Sequence, residues 1–165
     1  MLHKASVAGL TMDPTSNTPI IILKTEEGDQ AIPIWIGLLE ATSIASVLQN
    51  VHFERPMTHD LFKNFSEHLE IKVTKVEVCD LRDNTFFALI YFDRDGRSFS
   101  LDARPSDAIA IALRFSAPIY VDEKVIEKSK KGDGEVEVLD QSEEGKKWAE
   151  YLENLSPEDF GKYKV

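Results

Sequence analysis

The sequence predicts an α+β domain, with mostly antiparallel or mixed sheets, helices packed on them, and a helical appendage on the C-terminal side. Three observations carry this. Segments rich in β-branched and aromatic residues, such as 72–81 and 85–92, are punctuated by tight-turn signals such as DRDG at 93–96. A helical pattern follows the third strand-like segment twice, once from Leu38 and once from Pro105. The chain also matches itself at a shift of 67 positions, which puts Asn17-Thr18 on Asn84-Thr85, Asp13 on Asp80 and Ala41 on Ala108.

The pattern follows the same shift. PIIIL (19–23) lies on FFALI (86–90), EEGD (26–29) on DRDG (93–96), and QAIPIWIG (30–37) on RSFSLDAR (97–104). LLEATSIASVL (38–48) then lies on PSDAIAIALRF (105–115). The expected unit is a duplicated strand-strand-strand-helix, covering about residues 5–50 and 72–117.

The first helix should span 38–50 and turn Leu38, Ile44, Ala45 and Leu48 inward. Between the copies, ERPMTHDLFKNFSEHLE (54–70) reads as a helix capped by Thr58, with Leu61, Phe62, Phe65 and Leu69 as its apolar stripe. AIAIALRF (108–115) has almost no polar face, and such a segment is buried. APIYVD (117–122) reads as a short strand that closes a domain of residues 1–122. Residues 123–165 read as a charged loop followed by a helix at 142–155, docking through Trp148, Tyr151, Leu152 and Leu155.

Composition narrows the function. A chain of 165 residues can bury one proper core. The single Cys79 cannot form an intrachain disulfide, no apolar stretch approaches membrane-spanning length, and the opening residues lack the apolar block of a secretory signal. A cytoplasmic protein without membrane association is expected. The net charge of -10 opposes binding to a nucleic-acid backbone through bulk electrostatics, so any such binding should be weak. All six arginines lie in residues 1–121, and the tail uses only lysine. Ordered contacts to phosphate or carboxylate therefore belong to the first part.

The densest polar cluster is SLDARPSDAIAIALR (100–114), which sets Asp102, Arg104, Pro105, Ser106 and Asp107 directly ahead of the buried run. Under the shift, Glu40 falls on Asp107, and ERPMTHDL (54–61) echoes ARPSDAI (103–109). Helix capping by Ser106 or Thr58, with Asp107 or Asp60 at the positive helix end, accounts for part of this at about 0.5–1 kcal/mol each. It leaves Asp102, Arg104 and Arg55 unexplained. Arginines just ahead of helix N-termini suit phosphate or carboxylate. Asp102, Asp107 and Glu40, if they converge, suit Mg²⁺ or Mn²⁺, and His59 is then the candidate general base or acid. There is no HExxH, zinc spacing, P-loop or GxGxxG, and no organic cofactor is expected.

SNTPIIIL, IPIWIGLLEA, RPMTHDLF, LRDNTFFA and LDARPSDAIAIAL followed by APIYV resemble the bifunctional nuclease domain family over about residues 5–122. The resemblance implies an α+β fold and nuclease activity on DNA and RNA. It points to Glu40, Arg55, Thr58, His59, Asp60, Asp83, Asn84, Asp102, Arg104, Ser106 and Asp107 as motif positions. The resulting expectation is a metal-assisted nuclease. His59, Asp60, Asp102 and Asp107 would be catalytic, and Arg55, Arg104, Thr58, Ser106 and Asn84 would bind substrate. Asp102, Asp107 and Glu40 would hold the metal. The alternative is a non-catalytic module that binds an anion or an acidic partner segment. A homo-oligomer, with a dimer foremost, is also expected, and the apolar helix from Pro105 would offer an interface.

Overall fold

Two three-stranded meanders, each followed by a helix, share one sheet in the computed structural model, which describes residues 1–28 and 30–132. The helix expected at 142–155 lies outside the described residues. The first unit is β1 (Leu2–Met12), β2 (Pro19–Thr25), β3 (Ala31–Trp35) and α1 (Leu38–Leu48). After α2 (Thr58–His68) comes the second unit, β4 (Lys72–Arg82), β5 (Thr85–Arg94), β6 (Arg97–Ala103) and α3 (Pro105–Phe115). β7 (Ile119–Asp122) and α4 (Glu123–Gly132) follow.

The seven strands run in the order β3-β2-β1-β7-β4-β5-β6. β7 is inserted between the meanders, antiparallel to β1 and parallel to β4, so the sheet is mixed. The recurrence of element order matches the sequence pattern, and it is a recurrence of architecture. Both hairpins of the second unit need positive φ at their tips, met by Asp83 and Asn84 (47° and 57°) and by Asp95 and Gly96 (53° and 77°). These are two-residue turns of type I′, whose twist matches that of the flanking strands.

One face of the sheet carries the core. Ile21, Leu23, Ile32 and Ile34 from the first unit and Val76, Val78, Ala88, Ile90 and Phe92 from the second pack against α1 and α3. α3 is buried from Pro105 to Ala112 except at Asp107. Its apolar surface is thus consumed inside the domain, which removes it as the oligomer interface expected from the sequence. α1 packs on α3, and Ala41 and Ala45 of α1 and Ala108 and Ala112 of α3 are all essentially inaccessible.

The burial pattern corrects the inner face expected for α1. Ile44 and Ala45 are buried, but Leu38 and Leu48 stay exposed, and Ala41, Thr42 and Ser46 take the other buried positions of the helix. α2 departs further. Phe62 packs on the core, whereas Leu61 and Phe65 face solvent, at 59% and 60% exposure. The chain from Glu123 is a helix and not the expected loop, because Val125 and Ile126 are buried and anchor α4, which packs on β4 and β7. Asp122 accepts the Lys124 N–H at 3.0 Å, and Lys128 reaches Asp80 at 2.7 Å and the Leu81 carbonyl at 3.0 Å. Among the described residues, no helix is long and apolar enough to cross a membrane.

Candidate functional site

The starts of α1, α2 and α3 meet, and all three contribute to one connected polar chain. Gly37 is the N-cap of α1 and Glu40 lies in its first turn. Met57 is the N-cap of α2, so Thr58 is the first helical residue and not the cap, followed by His59 and Asp60. Arg104 is the N-cap of α3, Pro105 takes the first helical position, where its missing N–H costs nothing, and Ser106 is inside the helix. Neither expected hydroxyl cap is therefore used as one. Asp60 fills part of that role by accepting the Met57 N–H at 3.0 Å.

Arg104 links two carboxylates. Its Nε–H and Nη2–H donate to Asp107 Oδ2 and Oδ1 at 2.7 and 3.0 Å, and its Nη1–H donates to Glu40 Oε1 at 2.8 Å. The bidentate geometry is the strongest that guanidinium and carboxylate make. Asp107 Oδ1 also lies 2.9 Å from His59 Nε2, and His59 Nδ1 lies 2.7 Å from Ser43 Oγ. The result is a continuous chain, Ser43–His59–Asp107–Arg104–Glu40, drawn from three helices.

Charge decides which way its hydrogen bonds run. Burial pushes the Asp107 carboxyl up, but hydrogen bonds from Arg104 and His59 more than offset this and hold it below the usual carboxylate range. Asp107 is therefore ionised near neutrality and only accepts, so His59 donates through Nε2. In the neutral form of the ring Nδ1 is then the acceptor, and the Ser43 hydroxyl donates to it. Arg104 stays charged, its pKa raised chiefly by its hydrogen bond to Asp107. Its side chain is 63% exposed, and the N–H groups not used on Asp107 and Glu40 remain open to solvent.

The other expected residues sit elsewhere. Asp60 Oδ1 accepts from Arg114 Nε at 2.7 Å, and Arg114 is 5% exposed, with further bonds to the carbonyls of Ala110 (3.0 Å) and Ser43 (3.2 Å). This ties α2, α3 and α1 together beneath the chain. Arg55 and Thr58 are exposed and make no side-chain hydrogen bond or ion pair among the described residues, and Ser106 is buried. Asp83 and Asn84 form the β4–β5 turn. Asp102 pairs with Leu89, one residue out of phase with Ala88 and Ile90 of the core. Cross-strand partners share a face, so Asp102 lies on the face of the sheet opposite α3 and Asp107.

These positions test the fit of a divalent cation. Glu40 and Asp107 come together, but around a guanidinium, and Asp102 is turned away from both. Among the described residues no three His, Cys, Asp or Glu side chains form a set that could hold a metal ion. As arranged, the carboxylates hold Arg104 in the place a cation would take, so no step is routed here through a metal.

Sequence reading passed over Ser43 and Arg114. The signal for Ser43 was its i, i+3 spacing from Glu40, which sets both on one helical face. Arg114 is the one charge in the apolar run 108–115, and such a charge must find a partner when buried.

The fold and site together define an α+β domain in which three helix starts assemble a histidine, carboxylate and arginine chain able to hold and move a proton. Residues 21–133 match the family model described as the bifunctional nuclease domain. The chain is 38% identical over 164 residues to an uncharacterized protein of Mycobacterium tuberculosis, covering 96% of this chain and 98% of that one. It is 31% identical over 107 residues to bifunctional nuclease 1 of Arabidopsis thaliana, and 29% over 109 residues to bifunctional nuclease 1 of Oryza sativa subsp. indica. Those matches cover 62% and 64% of this chain but 33% of each plant protein, so the chain spans about a third of their length. The chain belongs to the bifunctional nuclease domain family.

Proposed function

We propose that this chain hydrolyses phosphodiester bonds in nucleic acid, with His59 as the proton-transfer group and Arg104 as the phosphate contact. The observation that carries the reading is the His59 ring, held at both nitrogens between Ser43 and Asp107 beside an exposed arginine. Asp107 fixes the tautomer and the orientation of the ring. In the proposed reaction a water that takes the place of the Ser43 hydroxyl gives its proton to Nδ1 as its oxygen bonds to phosphorus, the P–O bond to the leaving nucleotide breaks, and that leaving oxygen takes the proton back from the ring. The free N–H groups of Arg104 meet a phosphate oxygen as charge develops on it. The family and its plant nucleases support the reaction class, and the chain's negative charge agrees with weak substrate binding compensated at the reacting group.

The experiment is cleavage of labelled single-stranded RNA and DNA by the full chain, with EDTA, Mg²⁺ and Mn²⁺ arms, beside identically purified His59→Ala and Asp107→Asn. Loss of about 10²-fold or more in kcat for His59→Ala, with the fold retained, is expected for a general acid or base. Cleavage equal in wild type and both variants would overturn the reading and leave the anion-binding module as the better description. The EDTA arm decides the divalent ion separately: lost cleavage would require Arg104 to yield its carboxylates to a cation.

A further inference from the structure

Two hydrogen bonds join Ser43, His59 and Asp107, the hydroxyl 2.7 Å from Nδ1 and the carboxylate 2.9 Å from Nε2. A hydroxyl on one ring nitrogen and a carboxylate on the other are the relations that turn a serine into a nucleophile, whatever their order in the chain. The carboxylate on Nε2 leaves Nδ1 as the nitrogen that takes a proton. The phosphodiester reaction proposed above does not use this nucleophile, since water takes its place there.

The neighbours of Ser43 on α1 supply the rest of a site. Glu40 and Val47, three residues before and four after, share its helical face at about 5–6 Å between Cβ atoms. All three are half-buried, whereas Ala41, Thr42, Ile44, Ala45 and Ser46 are buried, so this strip is where α1 opens toward His59. Glu40 accepts from Nη1 of the exposed Arg104. A guanidinium therefore stands one turn before the hydroxyl and an apolar side chain one turn after it.

We infer that Ser43 is the nucleophile of a second activity, hydrolysis of short-chain carboxylic esters, with His59 as the base and Asp107 as the group that orients it. Ser43 Oγ bonds to the ester carbonyl carbon as its proton passes to Nδ1. The carbonyl π bond opens, and the resulting oxyanion meets an N–H of Arg104. The C–O bond to the alcohol then breaks as the ring gives the proton to the leaving oxygen, and a seryl ester remains. Water repeats the sequence on that ester, releases the carboxylic acid and restores Ser43. Val47 borders the acyl group and suits a short apolar one. This activity goes beyond phosphodiester cleavage, although both use His59.

The test follows hydrolysis of p-nitrophenyl acetate by the full chain, beside identically purified Ser43→Ala and His59→Ala. Both variants should turn over about 10²-fold more slowly or worse, with unchanged circular dichroism. A second measurement uses phenylmethanesulfonyl fluoride, which loses fluoride to an activated serine and leaves a stable adduct for mass spectrometry. The adduct should map to Ser43 in the wild type and be absent from His59→Ala. Ester hydrolysis that survives Ser43→Ala would overturn the inference. So would a wild type that is not labelled at Ser43, or labelling that is equal in folded His59→Ala. If His59→Ala unfolds, Ser43→Ala and the mapped adduct decide. Neither readout needs nucleic acid, so failure of the phosphodiester reading and failure of this one are told apart.

Discussion

Arg114 and Asp60 form a bridge between α3 and α2 in which the guanidinium is almost wholly buried and the carboxylate is about one-third exposed, with Nε 2.7 Å from Oδ1. The carboxylate also accepts the N–H of Met57 at the start of α2. One side chain therefore caps a helix and neutralises a buried cation. Asp60→Ala should destabilise the protein by about 3 kcal/mol, the low end for orphaning a buried charge, because Asp60 is partly solvated. Urea denaturation measures this directly. An Asp60→Ala protein of wild-type stability but without cleavage would instead make Asp60 a catalytic residue, as the sequence suggested.

Asp107 gives a pH signature whose sign follows from its neighbours. Burial raises its pKa, and the hydrogen bonds from Arg104 and His59 lower it more, so the folded value lies below the ordinary 3.8. The stabilisation is therefore complete above the unfolded value and is lost as pH falls through the depressed folded one. Asp80 behaves alike, held down first by Lys128 and then by Arg82. Stability should decline between about pH 5 and pH 2, and each of Asp107→Asn and Asp80→Asn should flatten that decline. Thermal melts across this window check it. A variant as acid-sensitive as the wild type would show that its carboxylate does not couple folding to pH.

At the β4–β5 turn, Asn84 has φ of 57°, a conformation that asparagine tolerates and β-branched residues resist. Asn84→Gly should match the wild type in stability and in cleavage, whereas Asn84→Val should lose about 1–2 kcal/mol. Reduced cleavage in a stable Asn84→Gly protein would restore Asn84 as a substrate contact.

The contrast between Asn84 and Asp107 shows what was legible in the sequence. Period-2 and period-3.6 patterns located all three strands and the helix of each unit, and the 67-residue shift placed Glu40 opposite Asp107 before any contact was visible. Parity along β6 was also readable, but its consequence was not. That Asp102 faces away from Asp107 depends on which face of β5 carries the helices, and this is set by tertiary packing. The position of β7 was hidden for the same reason, since four residues of strand propensity do not say which strands they separate. Leu38 and Leu48 were misplaced because apolar periodicity does not register that the small residues Ala41, Thr42, Ala45 and Ser46 take buried positions of α1.

Glu40 offers the sharpest control of the site's charge. It takes one Nη1–H of Arg104 at 2.8 Å, while Asp107 holds the guanidinium by two other bonds. Glu40→Gln should leave Arg104 in place on Asp107 while removing one negative charge beside the proposed phosphate contact. The oligonucleotide KM should fall by roughly 2- to 5-fold at low salt, the scale of one solvent-screened ion pair, and the gain should fade as salt rises. Gly37 provides an independent route to the same state. A Cβ added there would fall on Glu40 Oε2, the free end of a flexible side chain, so Gly37→Ala should displace that carboxylate from Arg104 at little cost in stability. The two substitutions should therefore lower KM together and without additivity, since each weakens the same ion pair. A rise in KM for both would mean that Glu40 holds Arg104 in the orientation the substrate needs, and that its charge matters less than its grip.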